Sequence, residues 1–273
     1  MKNLKSKSPA GKRMGCLLVT LVIVFVIASL FYFMTAGVRE AKNIEQTLID
    51  RFGWAEEYTP PADGFIDPQR LEAFIRVREA VQAGCGDYQA VLNSISELDK
   101  LESDQESSPS EVASTGMQGF KSAFSAGPKM VKFSTTRNKA LLDAEMGLGE
   151  YLYIYLTVYH EQLANEGESA YSGMEEAYIS ERARKEFVQI LTNQLLALQT
   201  SETPATLPDL EPALRAEIDA LENGTHLVPW PNGPAGRSLE SLAPLREKLT
   251  GLYCSGIVKI ELLQKNRGFD LDG

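Results

Sequence analysis

The sequence predicts an all-α protein in which a single N-terminal transmembrane helix is followed by an extracytoplasmic helical bundle. Three observations lead to this fold class. Residues 16–36 form an uncharged, apolar run of 21 residues. Beyond them, apolar residues recur at helical spacing and are interrupted by glycine and proline. No stretch alternates clearly in the manner of a strand, and only the segment GIVKIELL near the C-terminus is ambiguous.

The apolar run, CLLVTLVIVFVIASLFYFMTA, matches the thickness of a bilayer. As a helix it would span about 31 Å, and the hydrocarbon core of a membrane is about 30 Å thick. A cleaved signal peptide, the main alternative, has a shorter apolar region followed by small residues. Because this run ends largely in aromatic residues and methionine, we predict that residues 16–36 remain as an anchor in the lipid bilayer.

The charges that flank the run predict its orientation. Residues 1–15 contain five basic residues and no acid, so they are expected to form a short basic tail in the cytoplasm. The C-terminal domain would then lie in the periplasm, or on the equivalent outer side, of the inner (plasma) membrane. A tail this short cannot hold a kinase, cyclase or DNA-binding domain, so we expect any signal to pass through a partner in the membrane.

Residues 37–66 are predicted to form a juxtamembrane helix and a proline-rich linker. The helix has one apolar stripe, which either lies on the bilayer surface or docks on the domain; docking is the simpler interpretation. Gly53 and the sequence YTPPADGF then end the helix. The stripe consists of Val38, Ala41, Ile44, Leu48, Ile49 and Phe52.

Residues 67–273 are predicted to form the extracytoplasmic helical domain. Asp67 and Pro68 are the residue types preferred at the N-cap and at the first helical position, so a helix should begin there and end before Gly84. Residues 103–119, which are rich in serine, are predicted to be a mobile loop. Further helices are predicted at about 87–102, 129–165, 174–200, 208–222 and 238–265.

The segment 148–163 is apolar over more than half of its helical circumference, which predicts a position in the centre of the bundle. Tyr151, Tyr155 and Tyr159 fall on one face at a spacing of four residues. We interpret them as a core ridge whose hydroxyl groups reach polar partners at its edge.

The remaining face of this segment is polar and provides the candidate catalytic residues Glu150, Tyr153, His160 and Glu161, together with Thr157. A histidine near carboxylates can act as a general base or as a metal ligand. The simpler interpretation is a solvated helix face. The chain has only two histidines, and neither lies in a metal-binding spacing, so we predict no metal site and no cofactor.

The net charge of −10 is unevenly distributed. Five of the 27 basic residues and none of the 37 acidic residues lie within residues 1–36, which leaves the rest of the chain with a charge of −15. This acidity argues against a nucleic-acid partner. In an acid-free run, residues 112–142, the basic residues are either covered by the acidic loop just before them or, like that loop, simply solvated. The alternative is a basic patch facing anionic lipid or an acidic partner. The patch residues are Lys121, Lys129, Lys132, Arg137 and Lys139.

Two of the three cysteines, Cys85 and Cys254, lie in the domain predicted to be exported. In an oxidising compartment they either form one disulfide or remain two separate buried thiols, and sequence does not fix their distance.

Catalytic signatures such as a nucleophile elbow or a phosphate-binding glycine loop are absent from the sequence. An enzyme is therefore not the leading interpretation. We expect a membrane-anchored extracytoplasmic interaction or scaffold protein of the cell envelope, whose partner is another envelope protein. The alternative is a membrane-anchored hydrolase or ligand-binding sensor that uses the polar face from Glu150 to His160.

Overall fold

The computed structural model describes residues 37–86, 129–171, 181–201, 207–226 and 228–255, together with residues 257, 258 and 261. In this part of the chain the regular elements are helices, and no strand occurs. The predicted all-α class is therefore confirmed for these residues. None of their helices is both long and apolar enough to cross a bilayer. The predicted tail and anchor, residues 1–36, lie outside the described residues, as do the predicted helix 87–102 and the loop 103–119.

The described elements follow one another as short and medium-length helices. In chain order they are α1 (37–52), the 3₁₀ helix η1 (Ala55–Glu57), α2 (Pro68–Gln82), α3 (129–143), α4 (Leu148–Tyr171), α5 (Glu181–Thr200), α6 (Leu210–Glu222), α7 (Ser238–Leu242), the 3₁₀ helix η2 (Ala243–Leu245) and α8 (Arg246–Gly251).

Helix α2 begins as its sequence predicts. The side chain of Asp67 accepts a hydrogen bond from the backbone N–H of Gln69 at 2.7 Å, and Pro68 occupies the first helical position. The cap satisfies one of the N–H groups that have no partner within a helix. The apolar face of α2 is buried, with Leu71, Phe74 and Val77 fully enclosed.

Helix α4 is the centre of the bundle, which confirms the prediction from its wide apolar face. It packs against α2, α5, α8 and η1. The ring centroids of Tyr151 and Tyr155 are 6.0 Å apart, and those of Tyr155 and Tyr159 are 5.0 Å apart, so the three tyrosines form a continuous buried ridge. The helix is kinked at Tyr159, whose backbone angles (φ −106°, ψ 17°) are not helical.

Helix α1 docks on the domain, as its apolar stripe predicts. Leu48 is 2% exposed and belongs to the main core, and Phe52 packs against that core. Two ion pairs flank these contacts: Glu40 with Lys139 at 2.6 Å, and Arg51 with Glu145 at 2.8 Å. The C-terminal part of α1 is therefore packed against the domain.

The prediction of one continuous helix over 129–165 is wrong, because residues 144–147 are not helical and separate α3 from α4. Glu145 adopts a left-handed conformation with φ 52° in this break. The break lets the start of α4 lie directly against the segment after α1. A Cβ atom on Gly149 would collide with the carbonyl oxygen of Ala55 and with Cβ of Tyr58. Tertiary packing therefore requires glycine at this position.

The predicted helix 238–265 is also wrong. Its first part consists of α7, η2 and α8, with Pro244 near the start of η2, and α8 ends at Gly251. Proline has no N–H to donate within a helix, which favours an interruption. The carbonyl groups of Leu249 and Leu252 instead accept hydrogen bonds from Tyr159 and Arg78 in the core.

Candidate functional site

The polar face of α4 does not converge on one site. Glu150 and Tyr153 lie near the first turn of the helix, on the side of α2 and η1, whereas His160 and Glu161 follow the kink at Tyr159 and line a cleft. The interpretation as a solvated face is also wrong for its central residues, because Tyr153, Thr157 and His160 are each at most 6% exposed.

Glu150 pairs with Arg70 of α2. Both carboxylate oxygens accept hydrogen bonds from the guanidinium, each at 2.6 Å, and Arg70 also donates to the backbone carbonyl of Glu145 at 2.9 Å. A bidentate pair of this kind fixes the two helices relative to each other. Glu150 is therefore occupied by a structural contact.

Tyr153 is buried against Tyr58, with 6.1 Å between their ring centroids. Burial raises the pKa of Tyr153 to about 12, although hydrogen bonds with Ser238 and Gln194 act in the opposite direction. The phenol therefore stays protonated at neutral pH and connects α4 to α5 and α7.

His160 is held by its own helix. Its Nδ1 lies 2.9 Å from the backbone carbonyl of Thr157, next to the kink. Because a carbonyl only accepts hydrogen bonds, Nδ1 carries the proton, and Nε2 of the neutral ring is an acceptor. Nε2 lies 3.8 Å from Oε1 of Glu161, which is too far for a hydrogen bond.

The cleft beside His160 lies between α4 and the segment from α7 to α8, and has a volume of about 350 Å³. Clefts of this size can hold small ligands or a side chain of a partner. Its rim carries Glu161 and Arg246, which form an exposed ion pair at 2.8 Å. Its walls combine polar residues with apolar side chains, which include Val158, Leu239, Leu242 and Leu249.

The cleft holds few groups that could act as a nucleophile. Thr250 lines it, but its hydroxyl donates to the backbone carbonyl of Arg246 at 2.9 Å. Among the described residues that line the cleft, Thr250 is the one serine, threonine or cysteine, and its hydroxyl makes no hydrogen bond to Nε2 of His160. Within the same residues no group of three or more His, Cys, Asp or Glu side chains is placed to hold a metal ion.

A second polar cluster, which sequence reasoning did not identify, is buried in the core. Nη1 of Arg78 donates to Glu261 at 2.7 Å and to the hydroxyl of Tyr151 at 3.0 Å, and this hydroxyl donates to Glu261 at 2.6 Å. The guanidinium also lies 5.0 Å from the ring centroid of Tyr155. The sequence signal was an arginine on the apolar face of a predicted helix.

This core cluster is not fully paired. Within the described part of the chain, Oε2 of Glu261, Nε of Arg78 and the hydroxyl of Tyr155 are buried without a hydrogen-bond partner. Burial alone would lower the pKa of Arg78, but the carboxylate of Glu261 and the nearby tyrosines raise it well above its ordinary value. Arg78 therefore remains charged and depends on the pairing inside this cluster.

The second histidine, His226, is also part of a buried contact. Glu217, which is 6% exposed, accepts hydrogen bonds from Nδ1 of His226 at 3.0 Å and from the backbone N–H of Trp230 at 3.1 Å. Trp230 has a left-handed φ of 61°, which is uncommon for a residue with a side chain. The carboxylate thus holds a strained loop that leads to the cleft wall.

The residues of the predicted basic patch have different environments. Arg137 is 3% exposed and lies in the core, where its Nε and Nη2 both donate to Oδ1 of Asn138 at 3.1 Å. Burial lowers the pKa of Arg137. Its position four residues after Phe133 and four before Leu141 places it on the buried face of α3, a periodicity that the sequence contains.

The other patch residues are at or near the surface. Lys139 pairs with Glu40, Lys132 is exposed and Lys129 is half-buried; Lys121 lies outside the described residues. Because Arg137 is buried, the predicted set does not form one exposed surface. Binding of anionic lipid or of an acidic partner by the remaining lysines stays a prediction.

Cys85 and Cys254 form a disulfide, with their Cα atoms 6.1 Å apart. The bond joins the segment just after α2 to the segment just after α8. Around it, Val81, Phe133, Cys254 and Ile257 form a small second core cluster. The disulfide therefore lies beside α3 and close in sequence to residues that hold the buried Arg78.

No protein-family model, curated protein or solved structure matches this chain.

Proposed function

We propose that the chain is a membrane-anchored helical protein whose domain lies outside the cytoplasm and binds another component of the cell envelope. Residues 16–36 would provide the anchor, and the basic residues before them would keep the N-terminus in the cytoplasm of the inner membrane. The domain would act as an interaction or scaffold module.

The observation that carries this proposal is the disulfide between Cys85 and Cys254. Structural disulfides persist in oxidising compartments such as the periplasm and are rare in the cytosol. The bond is consistent with the orientation that the flanking charges predict. Two independent properties of the chain, its charge distribution and its cysteine pairing, thus favour the same side of the membrane.

The docking of α1 supports a positional role. Leu48 and two flanking ion pairs hold the helix against the domain, directly after the apolar run. A domain held in this way would present the same surface at a constant height above the bilayer. This is useful for a scaffold or an assembly factor, which must meet a partner in a defined geometry.

Photo-crosslinking in native membranes tests the proposal. A photoreactive residue would replace Leu239 or Leu196, the two large apolar side chains that are most exposed in the described part of the chain. We expect a discrete adduct with an envelope protein from at least one position. Glu247 on α8 is a nearby control position. Identical labelling at all three positions, or no adduct, would count against a specific partner.

The location is tested separately by protease treatment of membrane vesicles. In right-side-out vesicles the domain should be digested, and in inverted vesicles it should be protected until detergent is added. The reverse pattern would place the domain in the cytoplasm and overturn the proposed topology.

A second candidate function is ligand sensing, which the cleft beside His160 favours. Its apolar walls and its Glu161–Arg246 pair would suit a small amphipathic molecule. A thermal-shift screen of amino acids, dipeptides and polyamines on the full-length chain tests it. A stabilising compound whose effect is lost in Arg246→Gln or Glu161→Gln would support sensing.

A further inference from the structure

The cleft beside His160 contains hydrogen-bond acceptors for which the described part of the chain supplies no donor. Nε2 of His160 is an acceptor because Nδ1 donates to the backbone carbonyl of Thr157. Gln162 also lines the cleft, and its Oε1 is buried without a hydrogen-bond partner among the described residues. Buried acceptors left in this state cost free energy.

Gly233 lies next to Nε2 of His160. A Cβ atom there would lie 3.9 Å from Nε2 of His160, in ordinary contact. The backbone at Gly233 has φ 100°, a conformation that disfavours other residues. The loop held by Glu217 thus brings a residue without a side chain next to the histidine.

The carboxylate of Glu161 can exchange its present ion-pair partner, Arg246, for another cation. Its partner Arg246 is 69% exposed in its side chain and Glu161 is 55% exposed, so solvent screens the pair. Exposed ion pairs contribute little to stability, because solvent and salt screen them. A second cation that reaches the cleft can therefore displace Arg246 from Glu161 at little cost.

The walls of the cleft are suited to an aliphatic chain. Leu242 and Leu249 are almost fully buried, and Leu239 is 49% exposed at the entrance. Lysine and arginine side chains combine an apolar stem with a charged head that only donates hydrogen bonds. Their stem would cover Leu239, and their head would reach the acceptors on α4.

We propose that this cleft receives a lysine or arginine side chain of a partner protein. The head would donate to Oε1 of Glu161 and to Nε2 of His160, which lie 3.8 Å apart, and the stem would lie against Leu239. The strongly acidic charge of the chain after residue 36 would favour the approach of a basic partner. This inference rests on the proposed interaction function and specifies the chemistry of the contact.

The test uses the full-length chain in detergent micelles and fluorescent peptides of defined composition. One peptide combines leucine with lysine, the second leucine with glutamate, and the third leucine with serine. Fluorescence anisotropy measures the dissociation constant of each. We expect saturable binding of the leucine–lysine peptide and weaker binding of the other two.

Two variants with opposite expected effects make the test specific. Glu161→Gln removes the acceptor charge and should weaken binding of the leucine–lysine peptide by about fivefold. Arg246→Gln removes the competing cation and should strengthen it by about threefold. Glu211→Gln is the matched control, because Glu211 also pairs with an exposed arginine, Arg215, but lies outside the cleft.

Several outcomes would overturn the proposal. They are a preference for the leucine–glutamate peptide, equal losses in Glu161→Gln and Glu211→Gln, no response to either cleft variant, and no saturable binding. If a partner found by photo-crosslinking still binds both cleft variants normally, the interaction function stands and the assignment of the cleft is wrong. If no partner is found, the interaction function itself fails.

Discussion

The carboxylate of Glu261 lies 2.7 Å from Nη1 of Arg78, although 183 residues separate them, and both side chains are completely buried. This pair ties the C-terminal part of the described chain to α2 at the centre of the bundle. Arg78 also donates to the backbone carbonyl of Leu252 at 3.1 Å. The hydroxyl of Tyr151 in α4 accepts a further hydrogen bond from it at 3.0 Å, so α2, α4 and the C-terminal part meet at one guanidinium.

Replacement of Arg78 tests the importance of this pair. Arg78→Met should lower the free energy of unfolding by roughly 3–5 kcal/mol, because it leaves the carboxylate of Glu261 buried and unpaired. The measurement is chemical denaturation of the full-length chain in micelles. The double variant Arg78→Met/Glu261→Leu should be less destabilised than Arg78→Met alone. If Arg78→Met falls within 1 kcal/mol of the parent, as we expect for the exposed Arg215→Gln, the buried pair is not important for stability.

The disulfide should stabilise the domain by restricting its unfolded state. Cys85 and Cys254 are 169 residues apart in sequence, so the bond closes a large loop. The variant Cys85→Ser/Cys254→Ser should lose roughly 2–5 kcal/mol of stability and melt at a lower temperature. Cys16→Ser is the control and should leave the stability of the domain unchanged. In the non-reduced, denatured parent, alkylation should modify one thiol, and labelling of three would show that the bond does not form.

The close approach at Gly149 predicts a strong effect of a single methyl group. Gly149→Ala would place Cβ against the carbonyl of Ala55 and should destabilise the domain by about 1–3 kcal/mol or more. Gly251→Ala adds the same group in a helix with no atom within 4 Å of the new Cβ. That variant should be neutral, or more stable by up to about 1 kcal/mol. Thermal unfolding of the two variants should therefore shift in different directions, and equal shifts would contradict this packing.

The buried tyrosines predict a loss of stability at alkaline pH. Burial raises the pKa of Tyr153 and of Tyr159 to about 12, and it also raises the pKa of Tyr58, Tyr151 and Tyr155. The folded state thus favours the neutral phenol more than the unfolded state does, whose pKa is near 10. Their contribution to stability is complete below pH 10 and is lost as the pH rises through 12.

The measurement for this prediction combines two optical signals. Far-ultraviolet circular dichroism reports helix content, and absorbance near 295 nm reports tyrosinate. Above pH 10 the loss of helix should coincide with the ionisation of the buried tyrosines. Ionisation of all ten tyrosines near pH 10 with helix content unchanged would show that they are accessible to solvent in the folded protein.

Several local features were predictable because they depend on neighbouring residues. Asp67 and Pro68 fix the start of α2 through a cap and a restricted φ, and the wide apolar face of α4 requires burial on several sides. The apolar stripe of α1 predicts that the helix docks on the domain, and Leu48 of this stripe is buried in the core. Each of these depends on periodicity or on local hydrogen bonding.

The candidate site was less predictable because its geometry depends on contacts between distant segments. The helical wheel places residues 150, 153, 160 and 161 on one face. In the structure Arg70 pairs with Glu150, and Ser238 hydrogen-bonds Tyr153. The kink at Tyr159 separates these two residues from His160 and Glu161. Arg246, the partner of Glu161, follows 85 residues later. A helical wheel includes none of these partners.

The sequence by itself determined the all-α class of the described residues, because the spacing of apolar residues along a helix is a local property. Only the tertiary structure decided that Cys85 pairs with Cys254, that Arg137 is buried, and that His160 faces a cleft. These results depend on how helices pack and where they break. Gly149 permits a close approach between two segments, and the buried charge of Arg78 requires a partner. Both residues have these effects only once segments distant in sequence are in contact.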